Sequence, residues 1–243
     1  MLLIIAAVPL ETALLRQQLQ NCYERQHGQY RLFSGTIANQ QLLLAHSGVG
    51  QNAMAIQLTR LLEQFQPQSV LLCGCGGSYP HSSLGNGDIA IASEEICGDL
   101  GVATAEGFIA LEKLDIPQQP ELMPQTRQRY PLQSELTELA RQALPEAQFG
   151  PFVSVNCCSG YPALSDELQQ RTNGICENME GAAAAQVCAA YDVPLLEIRG
   201  ISNPTGSREP QDWEIKRGAE AAQRGMLKVL QHLSKQRNPT CDN

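Results

Sequence analysis

Apolar and polar stretches alternate along the chain so that strand signals and helix signals follow one another. The apolar run LLIIAAV near the N terminus gives way to ETALLRQQL, in which the leucines at positions 14, 15 and 19 lie on one helical face. The chain is expected to turn from strand to helix between Pro9 and Glu11. Such a start is typical of a protein in which strands and helices alternate.

The same alternation continues along the chain. YRLFSGTI and QLLLAHSG are predicted strands separated by the turn residues ANQ, and NAMAIQLTRLLEQF is a predicted amphipathic helix. SVLLCGCGG and DIAIAS have the apolar character of central strands, and FVSVN, GICEN and PLLEIRG follow as further strands. A last helix is predicted over residues 213–233. The pattern predicts an α/β fold with a mixed central sheet flanked by helices on both sides.

Two segments lack this regularity. Residues 98–131 are rich in Pro, Gln and Gly, and both a surface loop and a lid or subunit contact are open interpretations. Residues 236–243 are predicted to form a loose tail. No internal repeat is evident, and the length suits one hydrophobic core, so residues 1–235 are predicted to be a single domain.

Charge and hydropathy exclude several classes of partner. The 243 residues contain 17 Lys and Arg against 25 Asp and Glu, which gives a net charge of -8 without any basic run. Neither nucleic acid nor an anionic membrane is therefore an expected partner. The apolar N terminus lacks the basic residues of a signal peptide, and no stretch approaches the roughly 18 apolar residues needed to span a bilayer.

The cysteines and histidines do not form metal-site patterns. Nine cysteines are scattered, and neither the pair Cys73 and Cys75 nor the adjacent pair at 157 and 158 has C-x-x-C spacing. Reduced, mostly buried thiols and a cytoplasmic location are expected. His46 and His81 are interpreted as structural or surface residues. We therefore expect no metal and no organic cofactor.

Four strand ends carry glycine or polar residues. These are PLE at 9–11, HSGVGQN at 46–52, GCGG at 74–77 and RGISNPTG at 199–206. The glycines of the GCGG segment do not have the G-x-G-x-x-G spacing of dinucleotide-binding proteins, and no helical pattern follows this segment. Ligands of α/β sheets bind where strand ends converge, so these segments predict a small-molecule site.

These segments, in this order, resemble the purine nucleoside phosphorylase and nucleosidase family. The resemblance rests on SGVGQNAM, the GCGG loop with GDIAIAS, MEG followed by AAAAQVC, and VPLLEIRGISN, and it extends from the first strand to about Arg217. It implies a three-layer nucleoside phosphorylase-like fold, a small-molecule nucleoside as partner and a homo-oligomer. Ser47, Gly76 and Gly77 belong to the segments that the resemblance places at the substrate.

The resemblance also implies roles for three residues of the acidic motifs. Glu180 matches the glutamate that accepts hydrogen bonds from the ribose hydroxyls, with Met179 against the sugar, and Glu11 matches the glutamate that activates water. These roles suit cleavage of a ribosyl C–N bond, because the transition state has cationic sugar character. Both glutamates also stand at predicted helix starts, where acidic residues are favoured regardless of function.

Asn203 is a departure from the adenosine nucleosidases of the family, which carry an aspartic acid there. An amide cannot deliver a proton, but its oxygen can accept from a protonated N7 while its NH2 donates to a 6-oxo group. This suggests a catalytic role for Asn203 with a 6-oxopurine. The alternative is an asparagine that stabilises the turn before Pro204.

The residues of the loops at the strand ends indicate the nucleophile and further candidate substrate contacts. AAVPLE and GCGGSYPHSS lack the arginines with which phosphorylases of the family hold phosphate, so water is the expected nucleophile. Tyr161 is a candidate base-stacking residue, or simply packs. Arg208 and Phe108 are candidates for recognising a carboxylated aromatic 5' substituent, the latter from a loop that in relatives often caps a neighbouring subunit's site.

Within the family, the chain is most similar to the members that hydrolyse futalosine, a 5'-modified inosine of menaquinone biosynthesis. The segment that carries this similarity is EIRGISNPTGSRE, with Trp213 shortly after it. The resemblance therefore implies hydrolysis of futalosine with release of hypoxanthine. One alternative is a methylthioadenosine/S-adenosylhomocysteine nucleosidase that releases adenine. Another is a nucleoside-binding protein of the same fold without catalytic activity.

Overall fold

The computed structural model describes residues 1–28, 30–118, 121 and 125–237. Residues 238–243, most of the tail expected at 236–243, lie outside these residues. The strands are β1 (Leu2–Ala6), β2 (Gln20–His27), β3 (Tyr30–Ile37), β4 (Gln40–His46), β5 (Ser69–Ser78), β6 (Ile89–Cys97), β7 (Gly101–Thr104), β8 (Gly107–Ala110), β9 (Arg129–Pro131), β10 (Gln148–Ser154), β11 (Cys176–Asn178) and β12 (Leu195–Pro204). The helices are α1 (Ala13–Gln18), α2 (Gln51–Phe65), α3 (Glu135–Ala143), α4 (Pro162–Thr172), α5 (Gly181–Ala190) and α6 (Ile215–Arg237), with 3-10 helices at Pro9–Thr12, Leu111–Lys113 and Pro210–Asp212.

One mixed sheet organises the molecule. Its strand order is β11-β10-β6-β12-β5-β1-β4-β3-β2, with β9 paired to β6. β11 pairs with β5 as well as with β10, so five strands close into a barrel-like ring at one end of the sheet. The predicted α/β fold with a mixed sheet is confirmed.

Helices cover both faces of the sheet, because the central strands are apolar on both sides. In β1, Leu3 and Ile5 pack into the cluster that contains α2 and α5, whereas Leu2 and Ile4 pack into the cluster that contains α3 and α6. This two-sided burial explains why the strand reads as a continuous apolar run instead of an alternating pattern. The result is the expected three-layer arrangement.

Several sequence-based boundaries differ from the structure. The predicted first helix is only α1, and it is followed by the strand β2, whose residues QNCYERQH are almost all exposed and carry no apolar alternation. The segment at 98–131 contains the hairpin of β7 and β8 in its described part. The last helix continues to Arg237 instead of ending at Leu233. No helix in the described ranges is long and apolar enough to cross a membrane.

Candidate active site

A cavity of about 250 Å³ lies where β5, β11 and β12 meet the turn after β1. Parts of all four strand-end segments that the sequence singled out contribute to it, or lie directly beside it. The loop after β10 and the segment leading into α6 complete the wall. The lining residues are Ala7, Val8, Glu11, Val49, Cys75, Gly76, Gly77, Cys158, Ser159, Glu177, Asn178, Met179, Glu180, Arg199, Ser202, Asn203, Arg208, Trp213 and Ile215.

A fully buried cation, Arg199, lies at the centre of the site. Its Nε donates to Glu197 at 2.8 Å, and one terminal nitrogen donates to Glu180 at 3.2 Å and to the Cys75 carbonyl at 3.0 Å. The other terminal nitrogen donates to Oδ1 of Asn178 at 3.3 Å. Burial alone would lower the pKa of Arg199, but the carboxylates of Glu197 and Glu180 reverse the effect and raise it well above its ordinary value. Arg199 therefore stays charged.

Glu180 stands at the start of α5, with its carboxylate turned into the cavity. Its Oε2 accepts from Arg199, and its Oε1 accepts from the backbone N–H of Gly50 at 2.9 Å. Gly50 has a φ of 95°, a conformation that glycine adopts without strain, and it directly precedes α2. Asn178 fixes the preceding turn, because its Oδ1 accepts from the backbone N–H of both Glu180 and Gly181.

Glu11 lies in the 3-10 helix after β1 and is only 6% exposed. Its Oε2 accepts from the backbone N–H of Ala7 and Val8, each at 3.1 Å, and its Oε1 accepts from that of Cys75 at 2.8 Å. Burial raises the pKa of this carboxyl above its ordinary value despite the opposing effects of Arg199 and of these backbone donors. A carboxylate with a raised pKa is suited to accept a proton near neutral pH.

A second buried carboxyl pair lies behind Arg199. Glu95 and Glu197 are both fully buried, and burial together with Glu197 raises the pKa of Glu95 well above its ordinary value. Glu197 forms a salt bridge with Arg199 at 2.8 Å, whereas the raised pKa of Glu95 favours the protonated form of that carboxyl. Gly181 is required here, since a Cβ at this position would overlap Oε1 of Glu95 and lie 2.6 Å from Oε2 of Glu197.

The cavity extends along β5, with different chemistry at its two ends. A Cβ on Gly74 would be 2.8 Å from Oε1 of Glu11 and 2.7 Å from a terminal nitrogen of Arg199, so these two side chains lie beside Gly74. The same nitrogen of Arg199 donates to Glu180. Asn203 pairs in register with Gly77, three residues further along the strand. Three residues of strand span about 10 Å. The carboxylate end and the amide end are thus separated by roughly the length of a nucleoside.

The amide of Asn203 has a fixed orientation. Its Nδ2 donates to the carbonyl of Pro204 at 2.9 Å, and its Oδ1 accepts from the Ser202 hydroxyl at 2.7 Å. Because a carbonyl oxygen only accepts, the NH2 group must face Pro204. One hydrogen of Nδ2 and one acceptor position of Oδ1 remain for a ligand.

Trp213, Met179 and Arg208 add walls to the cavity. The guanidinium of Arg208 lies 4.6 Å from the centroid of the Trp213 ring, and the indole N–H donates to the Ser207 carbonyl at 3.2 Å. Trp213 therefore provides an immobilised aromatic wall of the kind that the sequence suggested for Tyr161.

Three predicted contacts lie outside the cavity. Tyr161 is 58% exposed at the start of α4, where its backbone leads into the helix and its ring does not line the cavity. Phe108 lies in β8 against the guanidinium of Arg171, and its predicted reach to a neighbouring subunit stays a prediction. Ser47 is buried beneath the loop, where its hydroxyl donates to the Gly48 carbonyl at 2.7 Å. Glu11, Asn203, Met179, Glu180, Gly76, Gly77 and Arg208 do line the cavity.

The two histidines near the strand ends have structural contacts. Burial, with a contribution from Arg16, lowers the pKa of His46 to about 4, and its Nε2 lies 2.7 Å from the Thr12 hydroxyl. His81 donates its backbone N–H to Gln169. Among the described residues, no three His, Cys, Asp or Glu side chains are grouped so that they could hold a metal ion.

Sequence reasoning missed the residues that hold the glutamates in place. Arg199 and Glu197 appear in the sequence only as two charges, two residues apart, in the otherwise apolar strand PLLEIRG. Charged residues in a central strand are rarely buried without partners, which is the signal that could have identified them. Asn178 and Glu177 stand directly before Met179 and gave no signal of their own.

The known proteins most similar in sequence include nucleosidases of two bacteria. The 5'-methylthioadenosine/S-adenosylhomocysteine nucleosidase of Halalkalibacterium halodurans is 33% identical over 210 residues, which cover 84% of this chain and 85% of that protein. The enzyme of the same name from Shewanella baltica is 30% identical and covers 95% of this chain and 96% of its own length.

Solved structures agree in fold. The nucleosidase of Neisseria meningitidis in complex with methylthio-immucillin-A superimposes with a TM-score of 0.80 at 23% identity, and the match covers 95% of this chain and 98% of that chain. The Colwellia psychrerythraea nucleosidase in complex with adenine gives a TM-score of 0.82 at 23% identity, covering 96% and 95% of the two chains.

The expectation of futalosine hydrolysis with release of hypoxanthine was wrong, because the relatives are methylthioadenosine/S-adenosylhomocysteine nucleosidases. That expectation depended on Asn203 presenting its oxygen to N7 and its NH2 to position 6. An amide carries a donor and an acceptor side by side, so the opposite pairing is equally available to it. Sequence alone could not decide between the two pairings.

A family model described as the phosphorylase superfamily matches residues 2–235. The match spans every element of the sheet and the whole cavity. The chain therefore belongs to the phosphorylase superfamily.

Proposed function

We propose that this protein is a nucleosidase that hydrolyses the N-glycosidic bond of methylthioadenosine or S-adenosylhomocysteine and releases adenine. The observation that carries the proposal is that Glu11 and Glu180 lie with one buried arginine at one end of a cavity that ends in Asn203. The names of the similar proteins agree with it.

The carboxylate end suits the sugar. Glu180 can accept hydrogen bonds from the ribose hydroxyls, since each of its oxygens has one protein donor and a further lone pair. Arg199 is the only buried cation lining the cavity in the described part of the chain, whereas Glu11, Glu180 and Glu197 are carboxyls beside it. This excess of negative charge favours a sugar that becomes cationic in the transition state.

Glu11 is the group that activates water in this proposal. Its backbone donors hold the carboxylate rigidly, and its raised pKa makes it a stronger base than an ordinary carboxylate. As the C–N bond breaks, the water oxygen bonds to the anomeric carbon and Glu11 takes the water proton. Loss of such a base typically slows a reaction by about 10²–10⁴-fold.

Asn203 suits adenine at the other end. An asparagine amide pairs with adenine in two places, because its oxygen accepts from the 6-amino group while its NH2 donates to N7. The positions that Ser202 and Pro204 leave open on Asn203 are one acceptor and one donor, as this pairing needs. Hypoxanthine offers two acceptors along the same edge, so it would leave one oxygen facing another.

The 5' substituent would meet apolar side chains. Val8 follows β1 beside Glu11, Val49 precedes the Gly50 that binds Glu180, and the Ile215 carbonyl accepts from the Cys75 thiol. All three line the cavity at its carboxylate end. A methylthio group would be accommodated there without leaving a polar group unpaired.

Water is proposed as the nucleophile instead of phosphate. The hydrogen-bonding groups of Arg199 are occupied by Glu180, Glu197, Cys75 and Asn178, and a phosphate near Glu11 and Glu180 would face two carboxylates. A homo-oligomer and a cytoplasmic location remain predictions from the sequence.

The test is product analysis with purified protein. Methylthioadenosine, S-adenosylhomocysteine and inosine are incubated with and without phosphate, and the bases and sugars are identified by chromatography. We expect adenine and the free 5-substituted ribose without phosphate, and a loss of about 10²–10³-fold in kcat for Glu180→Gln. Glu138→Gln, an exposed glutamate on α3, is the matched control. Ligand binding without turnover, or a strict need for phosphate, would overturn the proposal.

A further inference from the structure

Glu177 is a buried carboxyl of the cavity wall that the mechanism above does not use. It is 6% exposed and lies in β11, three residues before Glu180. Glu180 faces the sugar end, so the question is which part of a bound nucleoside Glu177 would meet. The register of the strands answers it.

Glu177 lies at the same end of the cavity as Asn203. β11 runs antiparallel to β5, and Glu177 pairs with Gly77, the same glycine that Asn203 pairs with from β12 on the other side. Proceeding from Glu177 to Glu180 therefore leads back along β5 toward Gly74 and Glu11. Gly77 has no side chain to separate the two residues. A purine bound by Asn203 would lie between Asn203 and Glu177.

The contacts of Glu177 prepare its carboxyl to lose a proton. Its Oε2 accepts from the hydroxyls of Tyr79, at 3.1 Å, and Ser159, whereas its Oε1 accepts only the backbone N–H of Ser159 at 2.9 Å. The second lone pair of Oε1 is thus the position for a proton, and three donors stabilise the anion once that proton has left.

Burial and the charged groups around Glu177 together raise the pKa of its carboxyl, which is the direction that a general acid needs. Burial is the largest cause and raises its pKa above the ordinary value, Asp99 after β6 adds to this, and the donors from Ser159 and Tyr79 oppose it. Cys158 and Cys176 lie near enough to interact electrostatically with Glu177, and burial raises the pKa of both thiols, that of Cys158 to about 11. The charge of Arg208 opposes this rise in the pKa of Cys158. These thiols therefore stay neutral in the range where Glu177 titrates.

We propose that Glu177 is the general acid that protonates a ring nitrogen of the departing purine, a role that rests on the nucleosidase function proposed above. The need for such a group follows from Asn203, since an amide donates a hydrogen bond but does not transfer a proton. Glu177 is the carboxyl that the strand register places beside Asn203.

The proton and electron balance is complete without another reactant. The C–N bond breaks and its electron pair moves onto the purine, which receives the proton of Glu177 at a ring nitrogen and leaves neutral. Water adds to the anomeric carbon, and its proton goes to Glu11. Glu177 ends ionised and Glu11 ends protonated, and exchange with solvent restores both.

The pH dependence of kcat tests this role. Wild type, Glu177→Gln and Tyr79→Phe are compared with the purine nucleoside that wild type cleaves, and Glu138→Gln is the control. The wild-type kcat should fall on the high-pH side of its profile, called the alkaline fall here, as Glu177 loses its proton. Glu177→Gln should lower kcat by about 10²–10⁴-fold with little change in KM, and its profile should lack this alkaline fall.

Tyr79→Phe gives the sharper result, because it leaves the carboxyl in place. The Tyr79 hydroxyl stabilises the ionised form of Glu177, so its removal should move the alkaline fall to higher pH. Any of three results would overturn the proposal. The first is a kcat of Glu177→Gln within about threefold of wild type, and the second is an alkaline fall that this variant retains. The third is an alkaline fall in Tyr79→Phe that stays at the wild-type pH or moves to lower pH. Failure of wild type to release adenine would instead refute the proposed substrate, and Glu177 would be tested on whichever nucleoside is cleaved.

Discussion

Replacing Arg199 by methionine tests how the buried charges hold the site together. Methionine keeps much of the side-chain volume, so the variant removes the cation without opening a large cavity. Four hydrogen bonds are lost, two of them to the carboxylates of Glu180 and Glu197, which are 5% and 0% exposed. Removing one partner of a buried ion pair costs about 3–5 kcal/mol, so we expect a loss of about 4 kcal/mol in the free energy of unfolding at pH 7.

The loss should also depend on pH in a defined direction. Arg199 lowers the pKa values of Glu11 and Glu95, so without it the folded variant binds protons more readily. A group whose pKa is higher in the folded than in the unfolded state stabilises the fold as pH falls. The difference in the free energy of unfolding between wild type and variant should therefore become smaller from about pH 7 to about pH 5.5.

Urea unfolding followed by the fluorescence of Trp213, the one tryptophan of the chain, measures both quantities. Arg224→Met is the matched control, since Arg224 forms an exposed pair with Glu220 and should lose less than about 1 kcal/mol. A loss below about 1 kcal/mol for Arg199→Met at neutral pH, or a gap that widens on acidification, would refute the reasoning.

Three further predictions concern single positions. Gly181→Ala should destabilise the fold by about 1–3 kcal/mol in a thermal melt, because the new methyl group would overlap the hydrogen-bonded Glu95 carboxyl. The control is Gly225→Ala on α6, where the atom nearest to the new Cβ lies at 3.3 Å and the change should be tolerated. Equal losses of stability in the two variants would reject the steric explanation. Trp213→Ala should raise KM by about tenfold or more through loss of an aromatic wall, and an unchanged KM would contradict that placement. In the pH profile of kcat/KM, the acid-side fall should lie above pH 4.5, the ordinary pKa of a glutamate, because Glu11 must be ionised to accept a proton; a fall at or below 4.5 would exclude Glu11 as the base.

The fold could be predicted where side-chain pattern alone decides the structure. The bounds of the strand over 30–37 were predicted to the residue, because its apolar residues are followed directly by the turn residues ANQ. β2 could not be predicted, since its polar sequence forms a strand only by pairing with β3. Tertiary contact overrides local preference in such strands.

Sequence motifs identified Glu11 and Glu180, which line one cavity in the structure, and their catalytic roles stay predictions. The residues that position these glutamates could not be predicted, because Arg199, Glu197 and Asn178 act through contacts between strands that are distant in sequence. Tyr161 was misplaced as a cavity residue for a related reason. Its position after β10 suggested the cavity, but the turn into α4 directs its ring to solvent.

The choice between adenine and hypoxanthine as the released base depends on how the amide of Asn203 pairs with the purine. Methylthioadenosine and 5'-methylthioinosine differ only in the edge that Asn203 would contact, so their kcat/KM values in phosphate-free buffer compare the two pairings directly. We predict that the adenine compound is preferred by at least about tenfold, since hypoxanthine would place a carbonyl oxygen against Oδ1. Equal values, or a preference for the inosine compound, would contradict the proposed release of adenine.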